Sequence, residues 1–354
     1  MVSTKPSPTS SRNPLAEPRR LDSLDAARAV AALLVFCQHG FEKWVPLFKT
    51  GFAILNLGQA GVVCFFLISG FVIPYSLQSH GSLLKYVIAR FFRIFPLYWF
   101  VLIAAAVALR FKMPVLGPDA PYSLSWRSLL VHLFMIQSLF KIPNLVGISW
   151  TLVVEIIFYF VTAFLFLMKL QSLLRFIVAG CGLVLAGSLY GWWFHKAFPI
   201  YPAALILTAF AGQAVEYHWS KKITGLQAGL IFILVLLTCL ASISLREAVS
   251  PYIITTKSAC VSWTAGYAVF LIFLFTHYKS GILSFLGRIS YSIYLLHTYF
   301  IAFAFHYLTP CWSAVGICLA ATLAASMLTY RVIEQPGIAL GRNLFRLVHA
   351  KLAA

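Results

Sequence analysis

An arginine, a histidine and a glutamate stand out in this chain because the stretches around them are apolar. Residues 24–40 read LDAARAVAALLVFCQHG, with Arg28 near one end and His39 near the other. They are eleven residues apart, so on a helix they share a face, about 16 Å apart along the axis. Of nine acidic residues, Glu155 alone falls well inside an apolar stretch. A carboxylate in hydrocarbon costs about 2.5–3.5 kcal/mol even on the forgiving insertion scale, so it faces a partner or a cavity. His39 lies ~22 Å from one edge of a ~30 Å core, and Glu155 enters from the other side to ~9 Å, so the two are expected at one depth. A carboxylate beside an imidazole fixes its tautomer and stabilises the imidazolium, which makes His39 a candidate general base supported by Glu155. The bland alternatives are snorkelling by Arg28, an interfacial His39 and a structural hydrogen bond for Glu155.

Three further stretches carry candidates. CFFLISGFVIPY (64–75) puts Ser69 and Gly70 in mid-span, where small residues let backbones approach; a packing seam is the alternative to a site. ARFFRIFPLYW (89–99) sets Arg90 and Arg93 one turn apart, with Pro96 opening the next span. They are topology anchors or a phosphate clamp, since arginine suits bidentate phosphate contact. GRISYSIYLLH (287–297) aligns Ser290, Tyr294 and His297 on one helical face, with His297 near mid-membrane.

The elements that position these residues follow from composition. The 354 residues are 61% hydrophobic and 10% charged, against about 25% charged in soluble domains. The reading is an all-α integral membrane protein of about ten transmembrane helices in one bundle with a central cavity. Spans are expected near 24–40, 55–77, 94–110, 149–168, 172–193, 199–215, 225–244, 259–276, 287–306 and 312–333. Residues 124–140 read as an interfacial or re-entrant helix. The net charge of +18 is spread over short loops, which points to topology and anionic lipid and away from nucleic acid. With the N-terminus inside, 17 Lys and Arg fall in inside segments and nine outside, which favours both termini cytoplasmic. Residues 1–20 read as a disordered cytoplasmic tail, 21–340 as the membrane domain and 341–354 as a short cytoplasmic tail. Seven scattered cysteines form no C-x-x-C pair and imply neither a disulfide framework nor a metal site.

At these residues the sequence resembles the acyltransferase-3 family of bacterial membrane acyltransferases, over roughly residues 21–340. The family's Arg or Lys, ten residues, then His corresponds to Arg28 and His39. FFLISGF (65–71), the pair Arg90 and Arg93 with Pro96, SWTLVVEIIFY around Glu155, Gly287 to His297, and Glu334 with Pro336 match further motifs in order. Ala26 stands where relatives usually carry glycine. Relatives often fuse an extracytoplasmic SGNH-type domain; with about twenty residues after its last span, this chain is expected to finish transfer alone or pass the acyl group to a separate protein.

The resemblance implies an acyl-CoA donor, most often acetyl-CoA, no metal, and a location in the bacterial inner membrane. The acceptor is expected to be an extracytoplasmic or lipid-linked glycan hydroxyl, with a macrolide or other small hydroxylated molecule as the rival. Arg90 and Arg93 would hold CoA phosphates, and Ser69, Tyr294 and His297 would line the donor cavity. His39 would act as base or as a transient acyl carrier, with Arg28 stabilising charge or positioning the donor. A proton-coupled transporter would also keep His, Arg and Glu in the membrane, but would usually show inverted repeats, and none is evident.

Overall fold

An apolar run in lipid has no water to satisfy its backbone, and a helix satisfies every N–H and C=O within the segment. The computed structural model describes residues 22–44, 51, 53–80, 82–114, 125–168, 173–196, 198–249, 255–276, 278, 280–309 and 311–353. The expected tail at 1–20 lies outside them. Among the described residues the regular structure is helical, with no strand. The helices are α1 (Asp22–Trp44), α2 (Leu57–His80), α3 (Leu83–Arg110), α4 (Trp126–Leu133), α5 (Ser149–Leu167), α6 (Leu173–Trp193) and α7 (Ile200–Trp219). They continue as α8 (Gly225–Val249), α9 (Thr256–Thr276), α10 (Gly281–Arg288), α11 (Ser290–Tyr307), α12 (Trp312–Thr329) and α13 (Gln335–Ala353), with a π-turn at Tyr330–Glu334.

Each expected span falls on a long helix, yet eight, not ten, are long and apolar enough to cross a membrane among the described residues. Helices α7 and α11 have the length but not the hydropathy, because Gln213 and Glu216 in α7 and Ser290, Ser292 and His297 in α11 are buried inside the bundle. The 124–140 stretch is the eight-residue α4 followed by a 3-10 turn at Gln137–Phe140. Pro96 does not open a span. Helix α3 starts at Leu83 behind the Ser82 cap and carries Pro96 inside it. Residues 341–353, expected as tail, belong to α13.

Helix α2 is the hub, packing against α1, α7 and α9. Its close approach to α7 is made by two glycines. A Cβ on Gly70 would stand 1.7 Å from the Ala209 carbonyl oxygen, and one on Gly212 would stand 2.0 Å from that of Leu67. The two backbones therefore touch where small residues face each other. Ser69, the residue before Gly70, points to α5, where it meets Glu155.

Candidate active site

Helices α1, α2, α3, α5 and α11 enclose a cavity of about 100 Å³. Its lining includes Arg28, Ser69, Arg90, Arg93, Glu155 and Tyr294, six of the eight candidates named from the sequence. Thr151, Tyr159, Ser290 and Tyr291 add hydroxyl groups to the wall.

Helical spacing explains the local pairs. Arg28 donates from Nη1 to Asp25 Oδ1 at 3.0 Å, one turn back on α1. Glu155 Oε1 accepts from Tyr159 OH at 2.6 Å, one turn on along α5, and from Ser69 Oγ at 3.3 Å across to α2. Tyr294 OH and Thr151 Oγ1 share a hydrogen bond of 2.7 Å between α11 and α5. The Arg90 guanidinium lies over the rings of Tyr86 and Tyr159, 5.7 and 5.5 Å from their centroids. Arg93 also lines the cavity, and no carboxylate among the described residues is within ion-pair distance of it. Three guanidinium groups with one paired carboxylate and one hydrogen-bonded carboxylate leave the cavity rich in donors that suit an anion.

Glu155 and His39, expected at one depth, turn to different partners in the contacts the structure shows. Glu155 is turned to Ser69 and Tyr159, whereas the half-buried His39 stacks on His297, with ring centroids 5.4 Å apart and 23° between planes. Depth fixes a level in the bilayer but not the direction a side chain leaves its helix. His297, expected in the cavity wall, is fully buried behind Tyr294, its ring 6.0 Å from that of the tyrosine. Its Nδ1 meets the carbonyl oxygens of Tyr294 and Ile293 at 2.7 and 3.2 Å. Carbonyls only accept, so Nδ1 carries the hydrogen. Nε2 is then left with a bare lone pair, buried and without a hydrogen-bond partner.

Asp25 and Tyr159 were missed in the sequence as parts of the site. Both were detectable as polar groups three and four residues from a candidate on the same helix. Glu334, buried on the π-turn and accepting from Ser292 Oγ at 3.1 Å, was noted as a motif without a role. Among the described residues no group of three or more His, Cys, Asp or Glu could hold a metal ion.

Comparisons with known proteins fit this arrangement. Residues 21–331 match the acyltransferase domain of the acyltransferase-3 family. Over 148 residues the chain is 32% identical to acyltransferase MdmB of Streptomyces mycarofaciens, covering 40% of this chain but only 38% of that protein. Over 321 residues it is 28% identical to exopolysaccharide production protein ExoZ of Rhizobium meliloti (strain 1021), covering 83% of this chain and 93% of that protein. No solved structure matches the chain. With a family match across nearly the whole helical bundle, the chain belongs to the acyltransferase-3 family and is a membrane acyltransferase.

Proposed function

We propose that this acyltransferase moves an acyl group, normally acetyl, from cytoplasmic acyl-CoA to a hydroxyl of an extracytoplasmic or lipid-linked glycan. The observation that carries this reading is the cavity holding Arg28, Arg90 and Arg93 beside Ser69, Glu155 and Tyr294, with His297 packed against Tyr294 and stacked on His39. The arginines suit the phosphates of a CoA donor. A volume of about 100 Å³ is below the 300–1,000 Å³ of pockets that enclose whole ligands. It favours a short acyl group on the end of the pantetheine arm, with the nucleotide left at the mouth. The similarity to an exopolysaccharide production protein over most of both chains supports a glycan acceptor.

In this reading His39 takes the hydroxyl proton as the oxygen attacks the thioester carbonyl. The tetrahedral intermediate collapses, the C–S bond breaks, and CoA leaves as thiolate to be protonated. His297, whose Nδ1–H is fixed on backbone carbonyls, lies against the His39 ring where the imidazolium forms. The cavity hydroxyl groups on the Tyr294 side face the developing negative charge, while Arg28, about 16 Å along its helix from His39, positions the donor. In this reading α7 and α11 join the eight apolar helices to make ten spans, and the bias of charged residues supports both termini in the cytoplasm.

The test is CoA release from acetyl-CoA by the purified full chain in vesicles, with and without a glycan acceptor. His39→Ala should lose 10²–10⁴-fold in transfer, the usual worth of general-base assistance, while still binding CoA. A transporter predicts no CoA release at all, and a loss of only a few-fold would remove His39 as the base.

A further inference from the structure

The segment YRVIEQPGIALG (330–341) runs across the end of the residues matched to the family and has no part in the mechanism above. Its geometry is unusual. The helix does not stop before Pro336 but passes through a π-turn, in which the Gln335 N–H reaches back to the Tyr330 carbonyl. A wider turn absorbs the missing N–H and the bulk of a helical proline, and such turns are frequent at functional sites.

The π-turn drives Glu334 into the bundle, where it is 1% exposed. Oε2 accepts from Ser292 Oγ at 3.1 Å, while Oε1 is buried with no hydrogen-bond partner. A buried carboxylate with an idle oxygen is costly unless a positive charge is near. The π-turn and α13 pack on α3, which carries Arg93, so Arg93 is the cation that can supply that charge, and the attraction of Glu334 acts on its guanidinium. The two are beyond ion-pair contact, so the N–H fork of Arg93 stays available to the cavity.

The backbone around Arg93 is gripped by the same elements. Just after the π-turn, a Cβ on Gly337 would stand 2.9 Å from the Phe92 carbonyl oxygen, and one on Gly341 would stand 2.9 Å from Phe92 Cβ. The Phe92 carbonyl is the one that Pro96 leaves without its helical N–H. On the other side of Arg93, Tyr291 OH donates to the Ile94 carbonyl at 2.8 Å.

We propose that Glu334 is a positioning residue that holds Arg93 toward the cavity for an anionic group of the donor, with Ser292 fixing the carboxylate from behind. The donor half of this statement rests on the function proposed above; the link between the two residues does not.

The test is a double-mutant cycle in the full chain, read by both CoA binding and melting temperature. Arg93→Ala should weaken CoA binding ~10–100-fold. Glu334→Gln, which keeps the shape and the bond from Ser292, should weaken it ~5–10-fold while the rate at saturating donor falls less than ~3-fold. The double variant should be no worse than Arg93→Ala within ~2-fold, because the residues act as one unit. A Glu334→Gln protein that melts lower yet binds CoA as the wild type does would overturn the proposal and leave the residue a packing element. If Arg93→Ala itself binds CoA normally, the donor reading fails instead. The link is then judged from melting temperature alone: non-additive shifts sustain it and additive shifts overturn it.

Discussion

The hydrogen bonds of Glu155 allow a quantitative test of which groups act together. Tyr159 OH approaches Oε1 at 2.6 Å, inside the short range of O–H to carboxylate bonds, whereas Ser69 Oγ lies at 3.3 Å, beyond the usual O–H···O limit of about 3.0 Å. Tyr159 is mostly buried at the cavity wall, and the phenylalanine that replaces it leaves Oε1 without this donor. Hydrogen bonds to charged groups contribute about 1.5–3 kcal/mol, so Tyr159→Phe should destabilise the protein by that amount. Ser69→Ala should cost less than about 1 kcal/mol. In Glu155→Gln the acceptor is neutral and the bond about half as strong, so Glu155→Gln and Tyr159→Phe should show a coupling of about 1 kcal/mol. His39 shares no hydrogen bond with this group, and His39→Ala should combine additively with Glu155→Gln, within about 0.5 kcal/mol. The assay is thermal unfolding of the protein in nanodiscs, with the single and double variants compared at one lipid composition. A larger loss for Ser69→Ala than for Tyr159→Phe would refute the assignment of the strong bond. Coupling above about 1 kcal/mol between His39 and Glu155 would refute their separation.

The remaining predictions concern packing, protonation and topology. Gly70→Ala and Gly212→Ala should each abolish accumulation of folded protein, because the added methyl meets a backbone oxygen that no side-chain motion can clear, whereas Gly182→Ala and Gly316→Ala, with nothing within 4 Å, should be tolerated; membrane-fraction yield and melting temperature decide. His132 donates from Nδ1 to the Ser128 carbonyl at 2.7 Å and accepts the Leu145 N–H on Nε2 at 3.0 Å, which requires the neutral ring. Burial lowers its pKa, so this stabilisation is complete above about pH 6.5 and is lost as the pH falls; the Leu145 amide should then exchange faster than intrinsic chemistry requires. Reporter fusions after Arg20 and after Ala350 should both report the cytoplasm, and an outside C-terminus would refute the ten-span reading.

The sequence made the chemistry more legible than the geometry. Arg28, Ser69, Arg90, Arg93, Glu155 and Tyr294 could each be noticed as polar groups in apolar surroundings, and the cavity collects all six. What spacing could not carry was azimuth between helices. Depth along the bilayer normal put Glu155 level with His39, yet the rotation of α5 is set by Thr151 bonding Tyr294 and by Glu155 reaching Ser69, contacts 143 and 86 residues apart in the chain. Pro96 misled for a related reason. A proline reads as a helix start when taken alone, but Gly337 packing against the Phe92 carbonyl lets α3 run through it. Both errors concern information held in a partner helix far away in sequence.

The two helices that fall short of membrane-spanning hydropathy make the same point from the other direction. Hydropathy measures what a helix would show to lipid, yet α7 and α11 show much of their surface to protein. Thr208, Gln213 and Glu216 are buried in α7, and Ser290, Ser292, His297 and Thr298 are buried in α11. Each would be costly against hydrocarbon, and several reach a neighbour: Thr208 accepts from the Trp263 indole, Ser292 donates to Glu334, and His297 Nδ1 meets two backbone carbonyls. A helix enclosed by others is free to carry the polar groups that a lipid-facing helix cannot. In this bundle the less apolar helices are the ones that fix His297, Tyr294 and the α2 seam. Low hydropathy in a helix of spanning length therefore marks the interior of the bundle, where the polar groups around the cavity are held.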